Sequence, residues 1–331
     1  MNGEAGLPYT GVATFAKAPL VDRSGDWHAG AAVLGIPYDW GVGYRPGARS
    51  APRAIREASA RYALAPGGFW DVETGRTRLA GVGLVDAGDV DVLYLDTEET
   101  FSRISAAVAE IVARGAVPLV LGGDHSVTFP GIRGFAPAFA EGGRWHGRRL
   151  HILQFDAHLD FRDELLGVRL ANSSPIRRAS ELPFTGRVVN LGVRGLRTSP
   201  VDYEAAVRYG ATPVLARDIH EATRRDGPEA IARFLETLPA GEPLYVTIDI
   251  DGLDPSLCPG TGSPEPEGLT YTQVKAALRA AGDRHPIVGI DLVEVNPYFD
   301  PTGRTMLTAA ALLLEALSAA WDGRAAQRRA G

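Results

Sequence analysis

LHILQFDAHLD (150–160) opens as an unbroken apolar run and closes on three metal-capable side chains at alternate positions, Asp156, His158 and Asp160. The run has the length of a strand buried on both faces. Side chains alternate along a strand, so positions i, i+2 and i+4 are expected to share a face. Carboxylates held that close raise one another's pKa, a cost that a divalent cation removes.

Seven more apolar runs follow the same plan: AAVLGIP (31–37), GVGLVDAGD (81–89), VPLVLGG (117–123), RVVNLGVRG (187–195), TPVLARDI (212–219), PLYVTIDID (243–251) and PIVGIDLVEV (286–295). Helical stretches stand between many of them, at 51–62, 97–115, 227–238 and 270–282, with LTAAALLLEALSAAW (307–321) as a buried C-terminal helix. Runs of Val, Ile and Leu alternating with helices predict a parallel sheet covered on both faces. The fold class is therefore α/β, a three-layer α/β/α domain around a mainly parallel eight-stranded sheet. A closed eight-stranded barrel uses the same elements and stays open as an alternative. In either, functional groups belong at the carboxyl ends of strands. No low-complexity linker, charge block or repeat divides the chain. Residues 1–331 are read as one domain, with 1–28 as an N-terminal extension and 322–331 as a disordered tail.

Formal net charge is −6 over 331 residues, so no basic field invites nucleic acid or an anionic membrane. MNGEAGLPYT has neither the basic flank nor the apolar core of a signal peptide. The stretch 307–321 is interrupted by Glu315 and is read as too short to span a bilayer. Cys258 is the lone cysteine, which predicts a reducing, cytoplasmic setting.

Two other strand ends supply partners for 156–160. VTIDID (246–251) carries Asp249 and Asp251, and LVLGGDHS (119–126) carries His125. Four aspartates and two imidazoles without a thiolate suit Mn²⁺, with Ni²⁺ or Zn²⁺ also compatible, and four negative charges match two divalent ions. Asp124 is read as support for His125, and Asp254 and Glu265 as turn or supporting groups. His151 and His220 read as structural, Cys258 as packing, and Asp291 as facing away from the site. Trp40, Tyr44, Arg45 and Arg49 in YDWGVGYRPGARS (38–50) could stack on a cation or hold a carboxylate, but packing is the reading preferred.

GGDHS, FDAHLD, TIDIDGLDPSLCPGTGSPEPEGLT and GIDLVEVNP resemble segments of the ureohydrolase family, as do YRPGARSAPRAIREAS (44–59) and LGVRG (191–195). The family contains arginase, agmatinase and related guanidino-compound hydrolases. The resemblance implies the three-layer fold, two Mn²⁺ per chain, a homo-oligomer (trimer or hexamer) and a small cationic guanidino substrate cleaved to urea and an amine. It implies His125, Asp156, Asp160 and Asp249 on one metal, with Asp156, His158, Asp249 and Asp251 on the other. Asp156 and Asp249 would then bridge. Asp160 would pass a proton to the leaving amine, and Glu294 would face the guanidinium.

One position departs from the pattern. Where many ureohydrolases carry a histidine in an HGTPFRR-like segment, this chain has ANSSPIRRAS (171–180), with Asn172 at the expected position. Asparagine can hydrogen-bond but cannot titrate near neutrality. That opens formimidoylglutamate or a small guanidine beside substrates of the agmatine or guanidinobutyrate type. A catalytically silent subunit is a third reading, against which stands the presence of all six ligand residues.

Overall fold

The computed structural model describes residues 7, 8 and 10–330, with side chains as far as Asp322. Ten strands form: β1 (Ala31–Gly35), β2 (Phe69–Asp71), β3 (Arg76–Arg78), β4 (Leu84–Asp89), β5 (Val117–Leu121), β6 (Leu150–Phe155), β7 (Thr185–Val193), β8 (Ala211–Leu215), β9 (Leu244–Asp249) and β10 (Ile287–Val293). Eight of them build one sheet in the order β4-β1-β5-β10-β9-β6-β7-β8, every pair parallel. The sheet is open, with β4 and β8 at its edges, which excludes the barrel. β2 and β3 form a separate antiparallel hairpin that sequence reading missed, because three-residue strands carry no measurable period.

Alternate residues of the strands feed two cores, one per face. Val33, Leu119, Leu153 and Val246 pack with the helices Ala51–Ser59, Tyr271–Arg284 and the C-terminal helix. Ala32, Val120, Ile152 and Tyr245 pack on the other side, against Thr97–Ala113 and the shorter helices. Helix starts are chemically marked. Asp96 accepts from Glu99 N (2.9 Å), and Thr270 and Gln273 make a reciprocal capping box.

Several boundaries differ from expectation. In TPVLARDI the strand stops at Leu215, and Ala216–Asp226 is helix. The expected helix at 227–238 is 3₁₀ over Pro228–Leu235. Residues of the expected N-terminal extension are part of the core: Phe15 and Ala16 are fully buried, and Phe15 N donates to Asp86 Oδ2 (2.9 Å). The C-terminal helix runs Arg304–Ala330, through most of the segment expected as a disordered tail. By length and hydropathy, Arg304–Asp322 is enough to cross a membrane, so the length argument fails. Its burial replaces that argument, because Ala309, Leu313, Ala316 and Leu317 sit inside the core.

Registers place the chemistry. Asp291 on β10 pairs with Thr247 on β9, Thr247 with Gln154 on β6, and Gln154 with Asn190 on β7. Four buried polar side chains thus form one row across four adjacent strands, just below their carboxyl ends.

Candidate metal centre

The carboxyl ends of β5, β10, β9 and β6, the four central strands, converge on one spot. β6 ends at Phe155, so Asp156, His158 and Asp160 lie beyond the strand, and alternation does not explain their convergence. A loop turns them inward instead. Asp156 Oδ1 accepts from His158 N (2.6 Å), and Asp160 adopts a left-handed backbone with φ 50°. Asp249 closes β9, and Asp251 follows in the 3₁₀ turn Ile250–Gly252, its amide donating to Asp249 Oδ1 (2.8 Å). His125 starts a 3₁₀ turn after β5, capped by Asp124. Gly123 allows that turn, since a Cβ there would lie 1.8 Å from Tyr38 O.

Two donor groups result. His125, Asp156, Asp160 and Asp249 form one, and Asp156, His158 and Asp251 the other, with ligand atoms of each group within 4.8 Å of one another. His125 Nδ1 lies 2.8 Å from Asp160 Oδ2 and 3.2 Å from both Asp156 Oδ2 and Asp249 Oδ2. His158 Nδ1 lies 3.2 Å from Asp251 Oδ2 and 3.5 Å from Asp156 Oδ1. Asp156 alone belongs to both groups. Asp249, which the resemblance implies as a second bridge, falls by spacing in the first group, and its Oδ1 accepts from the Asp251 amide.

The donors fit divalent cations. Ligand atoms bound at right angles on a cation at about 2.1 Å stand about 3 Å apart, as these do. His125 Nδ1 is buried and, close as the three carboxylates are, none is aligned as its hydrogen-bond partner. Its other nitrogen, Nε2, is 3.0 Å from Thr247 Oγ1. The electrostatics also point to a cation. Burial, then repulsion from Asp251 and Asp156, drives the Asp249 carboxyl well above the usual range. Burial and then Asp156 push Asp160 up to about 6. Burial alone would lower His125 and His158, but the surrounding aspartates overrule it and raise both.

Glu294 follows β10 directly, at φ 61°. Its Oε1 accepts from His125 N (3.0 Å) and from Asn172 Nδ2 (3.1 Å). Burial, then the Asp124 carboxylate, pushes Glu294 up to about 8 against those two donors. Asn172 is anchored through its own amide on Gly41 O (3.0 Å). Asp160, His158 and Asn172 line one wall of an open cleft of about 110 Å³, with Tyr44, Ser173, Arg197 and Ser263 around it.

The remaining expected residues sort themselves by contact. Asp124 holds Ser126 N (2.9 Å) and Gly41 N (2.7 Å). Glu265 Oε1 comes within 3.5 Å of His158 Nε2, while Asp254 accepts from Ser256 N and Gly268 N within its loop. Arg49 pairs with Asp39 (2.7 Å) under Trp40, and Arg45 stacks 3.7 Å over Phe299. His151 accepts from Arg187 N, His220 lies 3.2 Å from Glu267 O, and Cys258 is buried.

Sequence reading missed four groups. Gln154 donates to Asp156 Oδ2 (2.6 Å), Asn190 to His158 O (2.6 Å), and Thr247 meets His125. Gln154 and Thr247 stand two residues before Asp156 and Asp249, so carrying the alternation backward would have found them. Arg194 was the fourth omission as an individual residue. Its guanidinium donates to Asp251 O (2.7 Å), Glu265 O (2.8 Å) and Pro266 O (2.9 Å), tying the turn after β9 to the loop beyond it.

Donor groups that share a carboxylate beside an open cleft are the working parts of a hydrolase with paired divalent cations. The model of the arginase family matches residues 29–319, and the chain belongs to that family of guanidino C–N bond hydrolases with a binuclear metal centre. It is 37% identical over 291 residues to "Guanidino acid hydrolase, mitochondrial" of Homo sapiens, covering 87% of this chain and 78% of that one. It is 33% identical over 312 residues to guanidinobutyrase of Pseudomonas aeruginosa, covering 93% and 92%. The solved proclavaminate amidino hydrolase of Streptomyces clavuligerus superposes with a TM-score of 0.80 at 30% identity, over 95% and 99% of the two chains.

Proposed function

We propose that the chain hydrolyses a small guanidino compound to urea and an amine with two Mn²⁺, held by His125, Asp156, Asp160 and Asp249 and by Asp156, His158 and Asp251. The observation that carries this is the pair of donor groups sharing Asp156 at the edge of a cleft. When bound, the metal pair supplies a water with its pKa lowered towards neutrality and Lewis-acid help at the attacked carbon. In the net reaction water adds to the guanidinium carbon, and the bond from that carbon to the substituted nitrogen breaks.

The protein's own groups do the rest. Bound cations and the guanidinium itself oppose the burial and the Asp124 charge that raise Glu294, so it meets the planar N–H fork as a carboxylate. Asn172 and the His125 amide fix that carboxylate through its Oε1. Asp160 keeps Oδ1 free of protein hydrogen bonds among the described residues, and delivers a proton from that atom to the departing nitrogen. Asn172 cannot itself supply one, which disfavours arginine against shorter substrates.

The test is an assay of urea and ammonia across guanidino and formimino compounds, with Mn²⁺, Ni²⁺ and Zn²⁺ each supplied, alongside elemental analysis. Urea from a guanidino compound with two ions per chain is expected. Product from formimino compounds alone would replace the reading by a formimino hydrolase, and one ion per chain would defeat the paired centre.

A further inference from the structure

The cleft beside Asp160 is lined by an arginine that no described residue neutralises. Two arginines and one more aspartate are also in its lining, Arg162, Arg197 and Asp202. Arg162 Nε lies 3.3 Å from Asp202 Oδ2, so these two cancel, and Ser199 Oγ also donates to that carboxylate (2.7 Å). Arg197 makes no hydrogen bond or salt bridge with any described residue, although it faces the same cleft. It is also held on a short tether. Three residues before it, Arg194 is fixed on backbone carbonyls of the 251–266 segment, and two residues after it Ser199 caps the helix Pro200–Tyr209.

A second polar group in that lining lacks a partner. Ser173 belongs to the lining of the cleft, and its Oγ, shielded from solvent, has no hydrogen-bond partner among the described residues. A guanidinium fork and a hydroxyl together match the two oxygens of a carboxylate. Asp160 and Asn172 line the same cleft, and Asn172 is bonded to Glu294, so the side of the donor groups calls for a cation. The cleft therefore carries both signs, the Asp160 carboxylate beside the donor groups and the unpaired Arg197 guanidinium elsewhere in its lining.

Resting on the guanidino reading above, we propose that Arg197 receives a carboxylate at the far end of the substrate, with Ser173 beside it. The chain then prefers guanidino carboxylic acids to guanidino amines. A molecule with an ammonium tail sets like charges together at Arg197, whereas a carboxylate tail meets opposite charge at both ends.

Two probes of similar length separate the cases, 4-guanidinobutyrate with an anionic tail and agmatine with a cationic one. The metal-loaded protein is expected to favour 4-guanidinobutyrate. Arg197→Ala should raise KM for it by about tenfold or more, the worth of a hydrogen-bonded charge, with kcat changed less than about threefold. Arg197→Glu should raise that KM further and lower KM for agmatine. Arg197 is exposed, so neither substitution threatens the fold. Preference for agmatine in the unmodified protein overturns the assignment and leaves the guanidino reading standing. So does an Arg197→Ala variant whose KM is unchanged, or whose two substrates suffer alike. Urea from neither probe, nor from any other guanidine, overturns the guanidino reading itself and this assignment with it.

Discussion

Two residues at the site hold backbones that cost them energy. Asp160 at φ 50° and Glu294 at φ 61° occupy the left-handed region, at a cost of order 1 kcal/mol or more for a residue with a Cβ. Glu294 follows the end of β10 directly, and Asp160 lies in the loop beyond β6. For Glu294 the bend delivers Oε1 to His125 N and Asn172 Nδ2. Glu294→Gln preserves size and the bend while removing the negative charge. Turnover is expected to fall by two or more orders of magnitude, the usual scale for losing a charge-matched group, with metal content by elemental analysis unchanged. Loss of metal along with turnover would make Glu294 structural instead. At this scale the sequence was legible in part. Asp156, His158 and Asp249 announced themselves by spacing, but the spacing argument assumed strand where there is loop. Glu294 could be named through family motifs alone, since a left-handed bend leaves no periodic mark. Arg197 left no mark either, because its lack of a partner is a property of the folded surroundings.

The strands succeed or fail as a set. Each apolar run was visible because parallel strands buried on both faces need Val, Ile and Leu without interruption. The interruptions were the informative part, and their register was invisible. Asp291, Thr247, Gln154 and Asn190 line up only once β10, β9, β6 and β7 are adjacent, an order that no local pattern encodes. Asp291 itself accepts from Thr128 Oγ1 and Tyr245 OH, both 2.8 Å, and burial raises its carboxyl. The row orients the groups above it through Thr247 on His125 and Gln154 on Asp156. Partners of this kind typically change metal affinity by 10–100-fold when removed. Thr247→Val keeps the shape and deletes the hydroxyl. Metal titration should show a loss of about tenfold or more at the His125 group, while circular dichroism stays that of the parent. An unaltered affinity would mean that His125 is oriented by its surroundings without Thr247.

Across the whole molecule the two ends of the sheet answer to different conditions. The carboxyl ends carry the metal donors, and the amino ends bury His151 and His285 beside Glu242. Burial lowers His285 to about 4, with Arg284 and His151 acting in the same direction and Glu242 against them. Above pH 6.5 the ring is neutral folded and unfolded, so it costs nothing there. Between 6.5 and 4 the unfolded chain takes up a proton that the folded chain refuses, and stability falls as pH falls. The loss reaches about 3 kcal/mol and stops below the folded value. Urea midpoints of the metal-free protein at pH 7 and pH 4.5 should therefore converge in His285→Leu relative to the parent. An equal pH slope in both would place the acid sensitivity elsewhere. The order of the sheet has a consequence for how the chain is made. β9 and β10 are the last strands to be synthesised, yet they stand in the middle, between β5 and β6. Before β9 and β10 are made, β4-β1-β5 and β6-β7-β8 have no strand to join them, so the edges of β5 and β6 that later face the wedge lack their partners. Unpaired edges are templates for other chains. The hazardous interval thus comes late in translation, and it ends with the segment that brings Asp249, Asp251 and Glu294. A chain cut short before the end of β9 lacks Asp249 and Asp251 and can complete neither donor group.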